Sequence, residues 1–412
     1  MLRIEPVEHV VVVGASLAGL RAAETLRSSG FEGRVTMIGD EPHHPYDRPP
    51  LSKRLLSGEW EPDRIALRKP EQMDELDLTW RTGAAATGLD TTRREVALAD
   101  GATVPYDGLV IATGASPRSL PGQERHANAH VLRTLDHSLA LRAELVDDGP
   151  VDGGRRVVVI GAGFIGLEVA ATARGLGHEV TVLEGLPVPL VRGLGGEMGA
   201  AVAAIHADHG VDVRCGVVVS EITPDAVVLA DGSTVPADVL VVGIGVAPNV
   251  AWLDGSGLTI DDGVVCGSDL GAGPADVFAA GDVARWFNPL FDETMRVEHW
   301  TNAAEQGAHA AANLLARGRG EPTAAYAPVP FFWSDQYDRR IQFLGRAGDD
   351  DEVRVIAGSV DEHKFAAIYG REGRLRGVLG VNMPRVVMPF RARLEQRMSW
   401  DDAVEVAGQA AG

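Results

Sequence analysis

Val11-Val-Val-Gly14-Ala-Ser16-Leu-Ala18-Gly19 and Val157-Val-Val-Ile-Gly161-Ala-Gly163-Phe-Ile165-Gly166 are two versions of one device. Each is an apolar β-branched run, a glycine-rich turn and an Ala-rich helical stretch, the order of a strand that turns directly into a helix. Each then reaches a second apolar strand ending in acid: Val35 to Ile38 with Asp40 and Glu41, and Val180 to Leu183 with Glu184. The acids stand 26 and 23 residues after the first glycines. Glycine permits the tight turn, the approach of backbone to a pyrophosphate and close helix packing, and the phosphates then sit at a helix N-terminus. A single motif of this kind is weak evidence. Two complete βαβ units on one chain point to two dinucleotide sites. Candidate binding residues are Gly14, Ser16, Ala18 and Gly19 with Asp40 or Glu41 in the first, and Gly161, Gly163, Ile165 and Gly166 with Glu184 in the second. Ser16 replaces the second glycine of the first unit, and its small side chain still permits close approach.

Composition narrows the class. A chain of 412 residues should hold two or three domains, and 45% apolar residues is ordinary for a globular protein. No apolar run approaches the roughly 18 to 20 residues of a membrane span. The chain enters its first strand almost at once, so no signal peptide is expected and the cytoplasm is the default compartment. Cys215 and Cys266 are the only cysteines, far apart and without a Cys-x-x-Cys. That argues for a reducing compartment and against a redox-active disulfide, a zinc site or an iron–sulfur cluster on this chain. A net charge of −20 argues against nucleic acid and anionic membranes as partners. The histidines show no metal spacing and no nucleophilic triad, and no metal site is expected.

The chain also repeats itself. Tyr106 to Arg118 reads as a buried strand ending in Thr113-Gly114, and Ala237 to Asn249 as one ending in Gly243-Ile-Gly245. Each follows a hairpin stretch with an Asp-Gly turn, Ala99 to Pro105 and Ala230 to Pro236. A further strand, Asp276 to Ala280, ends in Gly281-Asp282. From about residue 327 the pattern becomes alternating and strand-like, with a last short helix from Trp400. The expected architecture is α/β. A first dinucleotide-binding domain spans 1–114 and 248–326, a second Rossmann-like domain 115–247, and a smaller α+β domain 327–412.

The order of these motifs resembles the putidaredoxin reductase family of flavoprotein ferredoxin reductases, whose members serve bacterial oxygenases. The match covers nearly the whole chain. Its most specific strings are Pro45-Tyr-Asp-Arg48-Pro-Pro-Leu-Ser-Lys53 and Phe332-Trp333-Ser-Asp-Gln336, beside Gly166-Leu-Glu168 and Ala280-Gly281-Asp282. The resemblance implies a glutathione-reductase-like plan and FAD and NADH as cofactors. Hydride would pass from NADH to flavin N5, and single electrons would then pass to a [2Fe–2S] ferredoxin feeding an oxygenase such as a cytochrome P450.

It also implies roles. Lys53 and Glu168 would pair beside the flavin N5, with Glu168 on the first turn of its helix. Asp40 is favoured over Glu41 for the FAD ribose, and Asp282 would meet a ribityl hydroxyl. Arg48, Ala86, Thr113, Gly114, Arg133, Gly281 and Trp300 would be further cofactor contacts, and the helix from Trp300 would start at a Thr301 or Asn302 cap. Glu184 would bind the 2′-hydroxyl of NADH and repel the 2′-phosphate of NADPH, with Gly243 and Gly245 on the nicotinamide side. Trp333 would lie near the nicotinamide and the docking face. Arg371, Arg374, Arg376, Arg385, Arg391 and Arg393 are the candidates for meeting an acidic ferredoxin.

Other readings share much of this plan. A rubredoxin reductase or a dioxygenase-system reductase would differ only in partner. An NADH oxidase or CoA-disulfide reductase usually needs a cysteine after the first βαβ unit, and residues 40–60 contain none. A flavin-based NADH sensor remains a non-enzymatic reading. Monomer and homodimer both stay open.

Overall fold

The valine runs become the centre strands of parallel sheets because they are apolar on both faces, and only a strand covered on both sides accepts that. The computed structural model describes residues 7–147 and 154–410. The chain divides into two compact units.

The first unit is built from residues up to Asp47, Ile65–Ser116 and Ala247–Pro330. Its five-stranded parallel sheet has His9–Val13 at the centre, flanked by Gly108–Ile111 and then Val277–Ala279 on one side, and by Arg34–Ile38 and Thr79–Arg81 on the other. The helices Leu17–Ser28 and Trp300–Gly318 pack together at very short range. A Cβ on Gly307 would stand 2.1 Å from the Ala18 carbonyl oxygen, so this crossing admits no side chain. Val10, Val12, Leu26, Ile111, Phe278 and Trp286 are among the fully buried residues of this core.

The second unit is built from Arg48–Arg64, Pro117–Val246 and the chain from Phe331 onward. It repeats the five-stranded parallel sheet, with Arg156–Ile160 between Val239–Val242 and Glu179–Glu184, and with Ala129–Val131 and Asp212–Cys215 at the edges. It also holds an antiparallel five-stranded sheet, Phe331–Gln336, Arg339–Gly345, Arg374–Val381, Lys364–Arg371 and Glu352–Ser359 in spatial order. The expected C-terminal α+β region is therefore a sheet of its own, packed on the second Rossmann-like fold. Phe332 reaches the ring of Phe164 at 4.6 Å between centroids, and the Tyr369 hydroxyl donates to the Leu194 carbonyl at 2.9 Å. The first contact sets the strand Phe331–Gln336 against the helix Phe164–Gly175, and the second ties the strand Lys364–Arg371 to the helix Val191–Asp208.

The two hairpins with Asp-Gly turns are present, Glu95–Leu98 with Thr103–Pro105 and Ala226–Leu229 with Thr234–Pro236. One local expectation fails. The helix from Trp300 is preceded by His299 as its N-cap, and no side chain caps it, so Thr301 and Asn302 lie inside the helix. Asn302 turns inward, donating to the Val297 carbonyl at 3.0 Å and accepting from the Tyr326 hydroxyl at 3.4 Å. Tertiary hydrogen bonds have taken the side chain that a cap would need.

Replacing Gly307 by alanine should lower the folding stability by about 1–3 kcal/mol or more, since the added methyl meets backbone rather than a movable side chain. Gly163→Ala, whose added Cβ meets nothing within 4 Å, should leave the denaturation midpoint unchanged. Equilibrium urea melts of the two variants beside the parent chain check both outcomes.

Candidate functional site

The two glycine turns share one geometry, and the structure separates the reasons for each glycine. Gly14 and Gly161 have φ of +124° and +102°, which side chains rarely adopt. The third glycines pack helix on strand, since a Cβ on Gly19 or Gly166 would fall 1.9 Å or 2.2 Å from the carbonyl oxygen of Gly14 or Gly161. Gly163 has neither reason: its φ is −76° and the space beside it is open. It is exposed and caps its helix without a side chain. The first-turn N–H groups that follow are the orphan donors of any helix start. Ile165, on the same turn, is 40% exposed, an unusual place for so large an apolar side chain.

Each acid ends or closely follows the second strand of its unit. Glu184 ends the strand beside this turn, accepting from the Ala162 N–H at 2.7 Å on one oxygen and from Leu186 N–H at 2.9 Å on the other. Two of its roughly four lone-pair sites stay free for hydroxyls. In the first unit Glu41 accepts from the Tyr46 hydroxyl at 2.5 Å, while Asp40 is exposed and accepts only from the Glu41 N–H at 3.0 Å among the contacts described.

Elsewhere in the first unit, Thr113 and Asn249 clamp each other. The Thr113 hydroxyl donates to the Asn249 carbonyl at 2.9 Å, and the Asn249 amide donates to the Thr113 carbonyl at 2.8 Å. Gly114 accepts from the Asn249 N–H at 3.0 Å. Gly281 has φ of +80° and donates its N–H to Gln306 Oε1 at 2.8 Å, and Asp282 sits buried on the same tight turn. Gln306 Nε2 is buried with no hydrogen-bond partner among the described residues. Trp300 donates its indole N–H to Asp47 at 2.7 Å. Ala86 opens the strand Ala86–Asp90, opposite Leu98.

In the second unit Arg48 donates to the Arg133 carbonyl at 2.5 Å. Gly245 accepts from the Arg118 N–H at 2.9 Å, and Gly243 donates to the Ile160 carbonyl at 2.8 Å. Trp333 is half-buried, 6.0 Å from the Phe331 ring and 5.9 Å from the Arg340 guanidinium.

Lys53 and Glu168 form an ion pair at 2.6 Å, with side chains 17% and 7% exposed. Lys53 ends the short 3-10 turn Pro49–Ser52, which the Thr172 hydroxyl anchors to the helix Phe164–Gly175 by donating to the Ser52 carbonyl at 2.7 Å. Lys53 also donates to the Pro49 carbonyl at 3.0 Å, and its third ammonium hydrogen has no partner among the described residues. Glu168 is the fifth residue of its helix and buried, so it is not the solvated first-turn acid that its distance from Gly166 suggests.

Two partners of Glu168 escaped the sequence reading: the Ser52 hydroxyl donates to Oε2 and the Ser334 hydroxyl to Oε1, each at 2.6 Å. Behind Ser334 lie Gln336 and His206, both fully buried. Burial pushes the His206 imidazole down to about 4. Both cysteines are free, and burial raises both thiols, Cys266 to about 12. No group of metal-ligating side chains occurs among the described residues, and no described helix is long and apolar enough to cross a membrane.

Residues 8–307 match the pyridine nucleotide-disulphide oxidoreductase family and residues 331–410 the reductase C-terminal family. The chain belongs to the pyridine nucleotide-disulphide oxidoreductase family. It is 38% identical over 410 residues to the ferredoxin–NAD(+) reductase component of the anthranilate 1,2-dioxygenase system of Burkholderia cepacia, covering 98% of this chain and 97% of that one. It is 36% identical over 395 residues to rhodocoxin reductase of Rhodococcus erythropolis, covering 94% and 90% of the two chains. Its structure superposes on the reductase of the covalent putidaredoxin reductase–putidaredoxin complex with a TM-score of 0.89 at 32% identity, over 98% of this chain and 99% of that one.

The low value of His206 has a consequence for stability. Between pH 6.5 and about 4 the unfolded chain takes up a proton that the folded chain refuses, so the contribution present above pH 6.5 is lost as pH falls. The loss should reach about 3 kcal/mol at most. Thermal melts across that range should fall more steeply for the parent chain than for His206→Gln.

Proposed function

We propose that this chain is an FAD-dependent NADH:ferredoxin oxidoreductase. It takes hydride from NADH and delivers single electrons to a [2Fe–2S] ferredoxin that feeds an oxygenase such as a cytochrome P450. The observation that carries this reading is the combination of two dinucleotide turns with no usable thiol. A cysteine raised to about 12 is protonated at neutral pH and is no nucleophile, and Cys215 is raised too. Disulfide reduction and cysteine-dependent NADH oxidation therefore lack their reacting group. The relatives add support, being a rhodocoxin reductase, a ferredoxin–NAD(+) reductase component and a putidaredoxin reductase.

The residues fit both cofactors. FAD would be held in the first unit, its pyrophosphate at the turn Gly14–Gly19, with Ala18 fixing the helix crossing and Asp40 on the ribose. Gly281 and Asp282 would meet the ribityl chain and phosphate, and the buried, unpartnered Gln306 Nε2 beside them suits a ligand oxygen. Thr113, Gly114, Ala86 and Trp300, with Arg48 and Arg133, are assigned to the same cofactor. NADH would be held in the second unit by Gly161, Gly163, Ile165 and Gly166, with Gly243 and Gly245 toward the nicotinamide. Open space beside Gly163 leaves room for a pyrophosphate, and the exposed Ile165 offers an apolar contact to an adenine. Glu184 selects NADH through its free lone pairs and repels a 2′-phosphate.

When bound, FAD accepts a two-electron hydride and gives up electrons singly. The chain supplies orientation and charge. Lys53, held on Glu168, keeps one ammonium hydrogen for the flavin edge at N5, and Trp333 borders the nicotinamide side. The domain plan 1–114 with 248–326, 115–247 and 327–412 belongs to this reading, as does a cytoplasmic location.

Anaerobic stopped flow tests the function. NADH should bleach the flavin rapidly, and added [2Fe–2S] ferredoxin should then be reduced. Bleaching by NADH without transfer to any of several ferredoxins would refute the acceptor. Glu184→Ala should raise the KM for NADH by roughly tenfold, one to two hydrogen bonds lost, and bring NADPH closer to parity. Undiminished preference for NADH in that variant would refute the role of Glu184.

A further inference from the structure

A carboxylate can only accept hydrogen bonds, and from that fact the direction of a whole buried chain follows. Glu168 Oε1 accepts, so the Ser334 hydroxyl must donate to it. The Ser334 oxygen is then left to accept, and Gln336 presents its amide N–H at 3.0 Å. The Gln336 carbonyl therefore faces His206, whose Nε2 must carry the hydrogen across 2.9 Å. His206 Nδ1 is left to accept, and the Tyr337 hydroxyl donates to it at 3.1 Å. The tautomer of His206 is thereby set by a carboxylate three hydrogen bonds away. Every link lies in the second unit, drawn from the strand Phe331–Gln336, the Tyr337 turn that follows it, and the helices Phe164–Gly175 and Val191–Asp208.

We propose that Ser334, Gln336 and His206 are positioning residues that hold the Glu168 carboxylate, and through it the Lys53 ammonium, in one place. The inference rests on the reading of Lys53 and Glu168 as the pair at the flavin. Ser334, Gln336 and His206 are wholly buried, where apolar side chains of like size would cost less to desolvate. What a polar chain provides instead is a single arrangement, because reversing any one link leaves two donors or two acceptors face to face. The chain does not carry protons. Gln336 takes up and gives out its hydrogen bonds on different atoms, so a proton could cross it only by making the amide an imidic acid. Glu168 thus has one oxygen governed from His206 and the other shared by Lys53 and Ser52, each at 2.6 Å. Losing the first lets the carboxylate rotate and carries Lys53 with it.

The test uses the flavin-loaded enzyme. Anaerobic reduction by NADH should slow roughly three- to tenfold in Ser334→Ala and in Gln336→Leu, the loss of about one hydrogen bond, with the KM for NADH within about twofold of the parent, since neither residue is assigned to NADH. The flavin midpoint potential should shift in both, and Ser334→Thr, which keeps the hydroxyl, should restore rate and potential. Independently of turnover, 15N spectra of histidine-labelled protein should show His206 as the Nε2–H tautomer. Lys53→Met separates the two layers of the argument. If it slows reduction while both chain variants, folded and flavin-loaded, keep the parent rate and potential, the positioning role is overturned and the ion-pair reading stands. If Lys53→Met also reduces at the parent rate, the ion-pair reading fails and the positioning role falls with it. An Nδ1–H tautomer at His206 would overturn the chain directly.

Discussion

A helix that starts in contact with the strand before it can be built only where backbone meets backbone. That constraint governs both units of this chain. The third glycine lies under the carbonyl of the first, so the helix axis points its free N–H groups at the end of the sheet. The second strand is parallel to the first and in register with it, Val157 opposite Val180 and Ile160 opposite Leu183. Its terminal acid consequently arrives beside the same turn, where Glu184 takes the Ala162 N–H. Turn, helix start and acid are one object, and no part of it can be moved separately.

The buried carboxylate of Glu168 obeys a different rule. An isolated charge in a protein interior is too costly to keep, and removing one partner of a buried pair costs about 3–5 kcal/mol. Glu168 accepts from Lys53, Ser52 and Ser334, which come from two stretches remote from it in sequence. Burial of the helix Phe164–Gly175 under the antiparallel sheet is what brings Ser334 there, and the Phe164–Phe332 contact sets the distance. Folding of the second unit and assembly of the ion pair are therefore the same event.

This division explains what could be read in the sequence. The parallel sheets were legible because runs such as Val10–Val13 have no polar face to offer water, and the glycine turns because their spacing is local. Lys53 and Glu168 were legible as a pair only through resemblance, since 115 residues separate them. Ser334 and His206 were not legible at all. Their partners stand 166 and 130 residues away, and a serine or histidine in a strand or helix carries no mark of what it will face. The missed cap at His299 has the same cause: Asn302 looks like a cap locally, and a carbonyl at Val297 and a hydroxyl at Tyr326 claim it instead.

The two turns, alike in backbone, differ in exposure, and the difference bears on what each can hold. At the first, Leu17, Ala18, Gly19 and Leu20 are all buried, and the crossing helix presses Gly307 onto Ala18. At the second, Gly163 and Ile165 are exposed and nothing stands within 4 Å of where a Gly163 side chain would begin. A helix start locked by a second helix suits a ligand that stays, because releasing it frees no strained backbone and letting it in requires none to move. An open start with an apolar side chain at its rim suits a ligand that arrives and leaves each cycle, since an apolar ring covering Ile165 would shed water there. One dinucleotide kept and one exchanged is what a two-electron donor and a resident redox group require, and the two turns part at the Ala18–Gly307 crossing and the open space beside Gly163.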